Sequence, residues 1–157
     1  MPEDAERTVE ALMAASRVLV GITARSLAQL SPEVTLPQFR ALVVLASRGP
    51  QRPADISAEL AVAPSTGTRM CERLVRKGLA RRTRSASDRR EVRIRLTPQG
   101  RTLVELALRN RHDELAAIVA MTSGRWSPAV VEALRAFAEA AGELPEQEWW
   151  LGWESPE

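Results

Sequence analysis

Apolar residues at helical spacing dominate both ends of the chain. In residues 4–30 they recur every three or four positions, which predicts a long helix with a broad apolar face. Residues 98–121 and 128–141 show the same periodicity, and each follows a Ser or Thr that precedes Pro, a pairing that starts helices. The short segment between these ends cannot bury faces this wide, so we expect a second copy of the chain to cover them.

Three shorter helices are predicted between the long ones. Thr35 and Gln38 form a capping box that opens the first, over residues 36–47. The second, over 53–60, is joined to the third, over 65–78, by the short break AVAP. Two short helices joined by so few residues, with small polar side chains and arginines on the second, have the layout of a helix-turn-helix.

Two strand-like stretches follow the third short helix, and the second of them alternates between polar and apolar. LARRTR (79–84) and EVRIRL (91–96) are predicted to be two strands joined by the tip SASDRR, with Val92, Ile94 and Leu96 on one face. A hairpin directly behind a helix-turn-helix makes a winged helix. The predicted fold is therefore mainly α with a small β-hairpin wing, a winged helix-turn-helix flanked by long dimerisation helices.

The distribution of charge indicates what such a fold would bind. The net charge is only +2, but residues 69–95 hold eleven Lys or Arg against three acidic residues, a net +8, and the rest of the chain sums to −6. A concentrated basic patch on a mildly acidic body is typical of a protein that binds a polyanion. An arginine-rich but merely solvated surface is the plainer interpretation, and the helix-turn-helix beside the patch favours nucleic acid.

Composition limits the other classes of function. With 157 residues, 45% hydrophobic and 27% charged, the chain fits one soluble domain, and no uninterrupted apolar run approaches the roughly 18 residues of a membrane helix. We therefore expect a cytoplasmic protein with no membrane partner. The single Cys71 and single His112 predict no disulfide, metal site or cofactor, with Cys71 a core residue rather than a redox sensor. No nucleophile motif or phosphate loop is visible, so we expect no enzyme activity.

Two stretches carry a family resemblance: PSTGTRMCERLVRKGLARR, and then SASDRREVRIRLTPQG with its D-R-R, alternating strand and L-T-x-x-G. In this order they resemble the MarR family of bacterial transcription regulators, over roughly Leu36 to Gly100. The resemblance implies a homodimeric transcription regulator that binds a pseudo-palindromic operator in double-stranded DNA, and we expect a repressor, with an activator as the alternative. It also implies control by a small aromatic or anionic effector, in a pocket whose lining the sequence does not assign.

The resemblance divides the chain into functional regions within one MarR-like domain, residues 1–157. Residues 35–97 form the winged helix-turn-helix DNA-binding region, and 1–34 and 98–157 the dimerisation helices.

The resemblance also assigns DNA contacts position by position. On the recognition helix, Arg69 suits a bidentate contact to a guanine edge and Arg73 a contact to phosphate. In the wing, Asp88 would orient Arg90 into the minor groove, although an aspartate in a turn can instead accept local backbone N–H bonds. The complete set is Ser65, Thr66, Thr68, Arg69 and Arg73 on the helix, and Arg84, Asp88, Arg89, Arg90 and Arg93 on the wing.

Two questions stay open at this point. A winged helix can also serve as a protein-protein interaction module, but such a wing needs apolar anchors, and this one carries mainly arginine. The tail after Gly142 holds Trp149, Trp150 and Trp153, which would expose much apolar area in solvent. We expect these indoles to dock on the dimer body, with a frayed terminus as the alternative.

Overall fold

The computed structural model describes residues 3–84 and 90–149. Within them, six α-helices and a two-stranded sheet follow one another in the predicted order, so the predicted fold class is confirmed. The elements are α1 (Glu3–Leu30), α2 (Leu36–Arg48), α3 (Pro53–Glu59), α4 (Pro64–Arg76), β1 (Ala80–Arg84), β2 (Val92–Leu96), α5 (Pro98–Met121) and α6 (Pro128–Ala140), followed by one 3-10 turn at Glu146–Glu148.

The hydrophobic core lies in the middle of the chain and is built around α2. This helix packs against α1, α3, α4, α5 and β2, and residues 41–46 are all buried because neighbours surround it on every side. Leu42, Val43 and Leu45 are among the buried residues of this helix. The largest fully buried side chains are Ile22, Leu42, Leu45, Ile56, Leu74, Ile94 and Val104.

Local sequence signals set the helix boundaries. The predicted capping box is present: the Gln38 N–H donates to the Thr35 hydroxyl, and the Thr35 N–H donates to the Gln38 side chain, each over 3.4 Å. Thr97 and Ser127 cap α5 and α6, each accepting the N–H of the third residue on. Gly49 ends α2 with a φ of 77°, a conformation that favours glycine.

Two glycines permit close approaches that periodicity did not reveal. A Cβ on Gly67 would lie 1.9 Å from the Ser57 hydroxyl oxygen, so α3 and α4 cross at a distance that only glycine allows. A Cβ on Gly100 would lie 2.0 Å from the Leu79 carbonyl oxygen, where α5 begins against the link between α4 and β1. These contacts fix the positions of α4 and α5 relative to the core.

The wing is an antiparallel pair in which Ala80 lies opposite Leu96 at the root. Gln51, between α2 and α3, adds a third backbone partner: its N–H donates to the Ile94 carbonyl over 3.0 Å, and its carbonyl accepts from the Ile94 N–H over 2.7 Å. Ile94 and Leu96 are buried as their shared face predicts, but Val92 is 43% exposed. The strand therefore extends past the helices that cover its root.

The long helices leave most of their apolar surface exposed in one chain. α1 buries only Ile22, Ser26 and Leu27, all near its C-terminal end, and α6 buries no residue. The prediction that the centre cannot cover these faces is confirmed. By length and by a mean hydropathy of 1.3 over 18 residues, α1 also satisfies the weak composition test for a membrane span, which counting uninterrupted apolar runs did not show.

The segment after α6 returns to the core of its own chain. Gly142, with a φ of 79°, follows the helix end, and the side chain of Trp149 is partly buried against the hydrophobic core. The predicted docking of the tail is confirmed for Trp149, which contacts the same chain. Trp150 and Trp153 lie outside the described residues.

Candidate nucleic-acid interface

α4 has one apolar face toward the core and one polar face toward solvent. Gly67, Met70, Cys71 and Leu74 are buried at helical spacing. The opposite side is exposed and holds all five predicted residues of the recognition helix, Ser65, Thr66, Thr68, Arg69 and Arg73. The structure therefore brings these five together on one surface, and their contacts to DNA remain a prediction.

The polar side chains on this face differ in how much hydrogen-bonding capacity they retain. The Thr68 hydroxyl donates to the Pro64 carbonyl over 3.0 Å, which leaves its lone pairs and methyl group for a ligand. Arg69 and Arg73 form no ion pair with residues 3–84 or 90–149. Both arginine side chains are exposed to solvent. The N-cap residue of α4 is Ala63, whose side chain cannot accept a hydrogen bond from the first turn of the helix.

The turn between α3 and α4 holds the recognition helix at a fixed angle. Ala61 has a φ of 51°, a left-handed conformation that costs a non-glycine residue about 1 kcal/mol or more. The turn is closed by the Val62 N–H, which donates to the Ser57 carbonyl over 3.0 Å. The AVAP stretch predicted a break at this point but not the strained alanine within it.

Two long side chains anchor α4 from behind. Lys77, next to the end of the helix, donates from Nζ to the Glu33 carbonyl and, over 3.0 Å, to Gln38 Oε1. Arg82 of the wing lies 3.6 Å from Glu72 of α4. This second pair joins the wing to α4 but is exposed, so it contributes under about 1 kcal/mol.

The wing residues fall into three groups. Arg84 and Arg90 are exposed on either side of the hairpin tip. Asp88 and Arg89 lie outside the described residues, so the pairing of Asp88 with Arg90 remains a prediction. Arg93 already has a partner, because its Nε donates to Glu91 Oε1 over 2.9 Å, and any contact to phosphate would have to compete with this bond.

Further arginines join this surface that the resemblance did not assign. Arg76 is exposed in the last turn of α4, and Arg81 lies directly opposite Arg95 in the hairpin register. Like charges directly opposite one another repel across a hairpin, and an external anion would relieve that repulsion. In the sequence, only their position inside the +8 segment indicated that these arginines belong to the basic surface.

Cys71 behaves as the predicted core residue. It is 1% exposed, and burial raises the pKa of its thiol. Because the thiolate is the reactive form, a buried thiol with a raised pKa is poorly placed for redox chemistry.

Comparison with known proteins places this surface in a family. Residues 34–92 match the model of the MarR family. The Multiple antibiotic resistance protein MarR of Salmonella typhimurium is 35% identical over 77 residues, 48% of this chain and 54% of that one. The chain belongs to the MarR family. The crystal structure of RV1404 from Mycobacterium tuberculosis has a TM-score of 0.84 and 39% identity over 92% of this chain and 99% of that one.

A second structural neighbour is Streptococcus pneumoniae FabT in complex with DNA. The structural match covers 88% of this chain and 95% of the FabT chain. Its TM-score is 0.68 at 24% identity, which shows a shared fold. As a member of the MarR family, this chain is a DNA-binding transcription regulator. Proteins of this family and fold are regulators rather than enzymes, and they are typically cytoplasmic homodimers.

Proposed function

We propose that the protein is a homodimeric repressor that binds a pseudo-palindromic operator and is released from it by a small aromatic or anionic effector. The observation that carries the DNA-binding part is the exposed polar face of α4, with its two arginines that lack a partner among the described residues. The arginine-rich wing lies beside it. Together they form one side of the head, which we define as residues 36–96.

The face of α4 suits the major groove. Arg69 is exposed, and its planar guanidinium can make two parallel hydrogen bonds to a guanine edge. Arg73 borders a hollow of about 290 Å³ between α4 and the first turn of α2, which Pro37 also lines. A phosphate there would meet a guanidinium and the positive end of the α2 dipole, which supports the proposed phosphate contact of Arg73.

The wing suits the adjacent minor groove. Arg90 is exposed beside the tip, and a narrow A·T-rich groove attracts an inserted arginine through its enhanced negative potential. In this proposal Asp88 orients Arg90, while Arg84 and Arg89 meet the phosphate backbone and Arg93 exchanges Glu91 for phosphate.

The exposed apolar faces of the long helices support a homodimer. Side chains such as Val130, Leu134 and Phe137 of α6 are more than a third exposed in one chain, an area that a second copy would remove from water. A two-fold dimer then presents two α4 helices to half-sites about one helical turn apart. In this proposal a partner subunit covers α1 rather than lipid, and the protein is cytoplasmic.

A hollow between α1, α2 and α5 supports effector binding. Its volume is about 330 Å³, the low end of the range for small-molecule sites, and Leu19, Phe39 and Val43 give it an apolar lining. Arg111 supplies the charge in this lining, because its buried Nε has no hydrogen-bond partner among the described residues, whereas the neighbouring Arg40 is ion-paired with Glu143. An apolar ligand with an anionic group would satisfy both parts of this lining.

The DNA-binding model is tested by selecting an operator from random DNA and measuring affinity against salt concentration. Arg69→Ala should cost about 1–3 kcal/mol and relax the preference at one base pair, whereas Arg73→Ala should weaken all sequences and reduce the salt slope by about one. Arg125→Ala, which removes the same charge near the far end of α5, is the control. Sequence-independent binding, or no dependence on salt, would refute the model and leave a protein-docking wing as the better interpretation.

Repression and effector control need a separate test. A reporter gene behind the selected operator should be silenced by the protein, and benzoate should restore expression where uncharged benzamide does not. Reporter activation by the protein would reverse the proposed sign of regulation. Failure of benzoate and of larger aromatic acids to shift either operator affinity or melting temperature would remove effector control from the proposal.

A further inference from the structure

The chain contains a connection between its terminal helices and its head that neither the family motifs nor the helix pattern indicates. α6 has no buried residue, but the segment that follows it, Gly142–Trp149, lies against the head. We call this segment the strap. It begins where the Gly142 N–H donates to the Glu139 carbonyl over 2.9 Å and the Glu143 N–H donates to the Ala138 carbonyl over 3.0 Å, so it is tied directly to the last turn of α6.

Two arginines of α2 contact the start of the strap. Arg40 forms an ion pair with Glu143, and Arg48 donates from a terminal guanidinium nitrogen to the Gly142 carbonyl over 3.1 Å. The same guanidinium lies 3.2 Å from the Glu59 carboxylate of α3, so it joins the strap to both helices. Each contact is partly exposed and weak alone, but together they hold two adjacent strap residues from two points on one rigid helix.

An aromatic anchor holds the other end. The Trp149 side chain packs against the hydrophobic core, which is built around α2, and its indole N–H donates to the Leu144 carbonyl over 2.9 Å. This bond closes the strap on itself around the 3-10 turn. A tryptophan removes apolar area from water when it packs, so this anchor adds apolar burial to the polar contacts at the other end.

The strap supplies a restraint that the backbone connections do not. α1 and α5 enter the head through short links and pack on it near those links, whereas α6 reaches it only after the full length of α5 and its return. Thirteen residues of α6 span about 20 Å, so a small rotation at a loose end would move the other end by several ångströms. Attachment at both Arg40/Arg48 and Trp149 removes that freedom.

We propose that Arg40, Arg48 and Trp149 are positioning residues for operator recognition. Through the strap they hold the head against α6, and through the apolar face of α6 against the partner subunit, which sets the distance between the two recognition helices. This inference rests on the proposed dimeric, operator-binding function. It adds that the preference for half-site spacing is determined in part by residues that do not touch DNA.

The first test compares spacing preference among full-length variants. Trp149→Ala and the double variant Arg40→Gln/Arg48→Gln are measured on operators whose two half-sites are moved together or apart by one or two base pairs. We expect the preference for the best spacing over its neighbours to fall by about fivefold or more, while affinity for a single half-site is unchanged. Trp126→Ala is the matched control, because this exposed indole bonds Thr122 in the α5–α6 turn and should leave the preference intact.

A merely structural strap gives a different result: affinity would fall by the same factor at every spacing, or would not change, and either outcome overturns the proposal. The double variant alters only partly exposed side chains, so it answers the question if Trp149→Ala fails to fold.

The second test does not depend on DNA. Nitroxides at Ser65→Cys in α4 and Glu132→Cys in α6 report the distance between head and α6, with labelled chains diluted in unlabelled protein so that only intrachain pairs contribute. Cys71 is buried and should not react. A narrow distribution that broadens in the strap variants supports the proposal, and an unchanged width overturns it. If the wild-type protein binds no operator, the proposed function fails, and this distance measurement still decides whether the strap holds the head.

Discussion

The head and the long terminal helices differ in how many of their residues are buried, although one continuous chain forms both. In the head, α2 is surrounded on all sides, and residues from every helix and strand around it have side chains with almost no exposure. In the first two thirds of α1 and in all of α6, no residue is buried. The head buries its hydrophobic core within a single chain, whereas the long helices leave their apolar faces exposed.

The sequences of the two regions therefore have to provide different kinds of contact. The head must hold a helix and a wing in fixed relative positions, which requires close contacts within the chain such as that of Gly67 with Ser57. The long helices must offer a surface complementary to itself, which requires an apolar face and little else. Burial of one Val, Leu or Phe is worth roughly 1.5–3 kcal/mol, so a few side chains on each helix are enough to drive association.

The largest expected effect comes from placing charges on the exposed apolar face of α6. Leu134→Lys combined with Phe137→Lys places two ammonium groups in the proposed dimer interface, and burying unpaired charge there should weaken association at least about 100-fold. Light scattering should show monomers at micromolar concentration, with a head that remains folded by circular dichroism. Val92→Lys, an exposed apolar residue of the wing, is the control and should stay dimeric. Unchanged mass for the double variant would place the interface elsewhere.

The next effect tests the close packing of the head. Gly67→Ala puts a methyl group 1.9 Å from the Ser57 hydroxyl oxygen, and the resulting overpacking should lower the free energy of unfolding by about 1–3 kcal/mol. Adding Ser57→Gly removes the clashing group and should recover part of the loss in a double-mutant cycle measured by urea unfolding. Additive effects of the two substitutions would show that the crossing of α3 and α4 is looser than described.

A smaller effect distinguishes the two regions by their helix caps. Thr35→Ala removes the cap of α2 and should cost the head about 1 kcal/mol at any protein concentration. Ser127→Ala removes the equivalent cap of α6, so its cost should appear in dimer dissociation and depend on concentration. Thermal melting at two concentrations separates these outcomes, and a concentration-dependent shift for Thr35→Ala would contradict the division.

The smallest effect is a pH dependence within the head. Hydrogen bonds from Arg52 at the start of α3 lower the pKa of Asp55, with Nε and a terminal nitrogen 2.8 and 2.7 Å from its two oxygens. A lowered folded-state pKa stabilises the protein above the unfolded value, about 3.9, and that contribution is lost as the pH falls through the folded pKa. Asp55→Asn should therefore destabilise by under about 1 kcal/mol at pH 7, and urea titrations should show this difference shrinking as the pH falls below about 3.9. A constant difference across that range would assign the effect to the capping bond alone.

Much of this molecule follows from rules that act over a few residues. The capping box of Thr35 and Gln38, the caps at Thr97 and Ser127, and the exposed polar face of α4 could all be predicted, because helix ends and amphipathic faces depend on near neighbours in sequence. The same reasoning predicted the excess apolar surface of the long helices, since periodicity shows how wide a face is without showing what covers it.

The tertiary structure alone decided the contacts between distant parts of the chain. Gln51 completes the wing, Lys77 donates to Gln38, and Gly67 admits Ser57, although no spacing in the sequence marks any of these pairs. The strap is the clearest case: tryptophans after a helix predicted docking, but only the fold brings Trp149 and Glu143 onto the head of their own chain. Such contacts have no period, because they depend on where two elements meet in space and on the few side chains long or small enough to fit there.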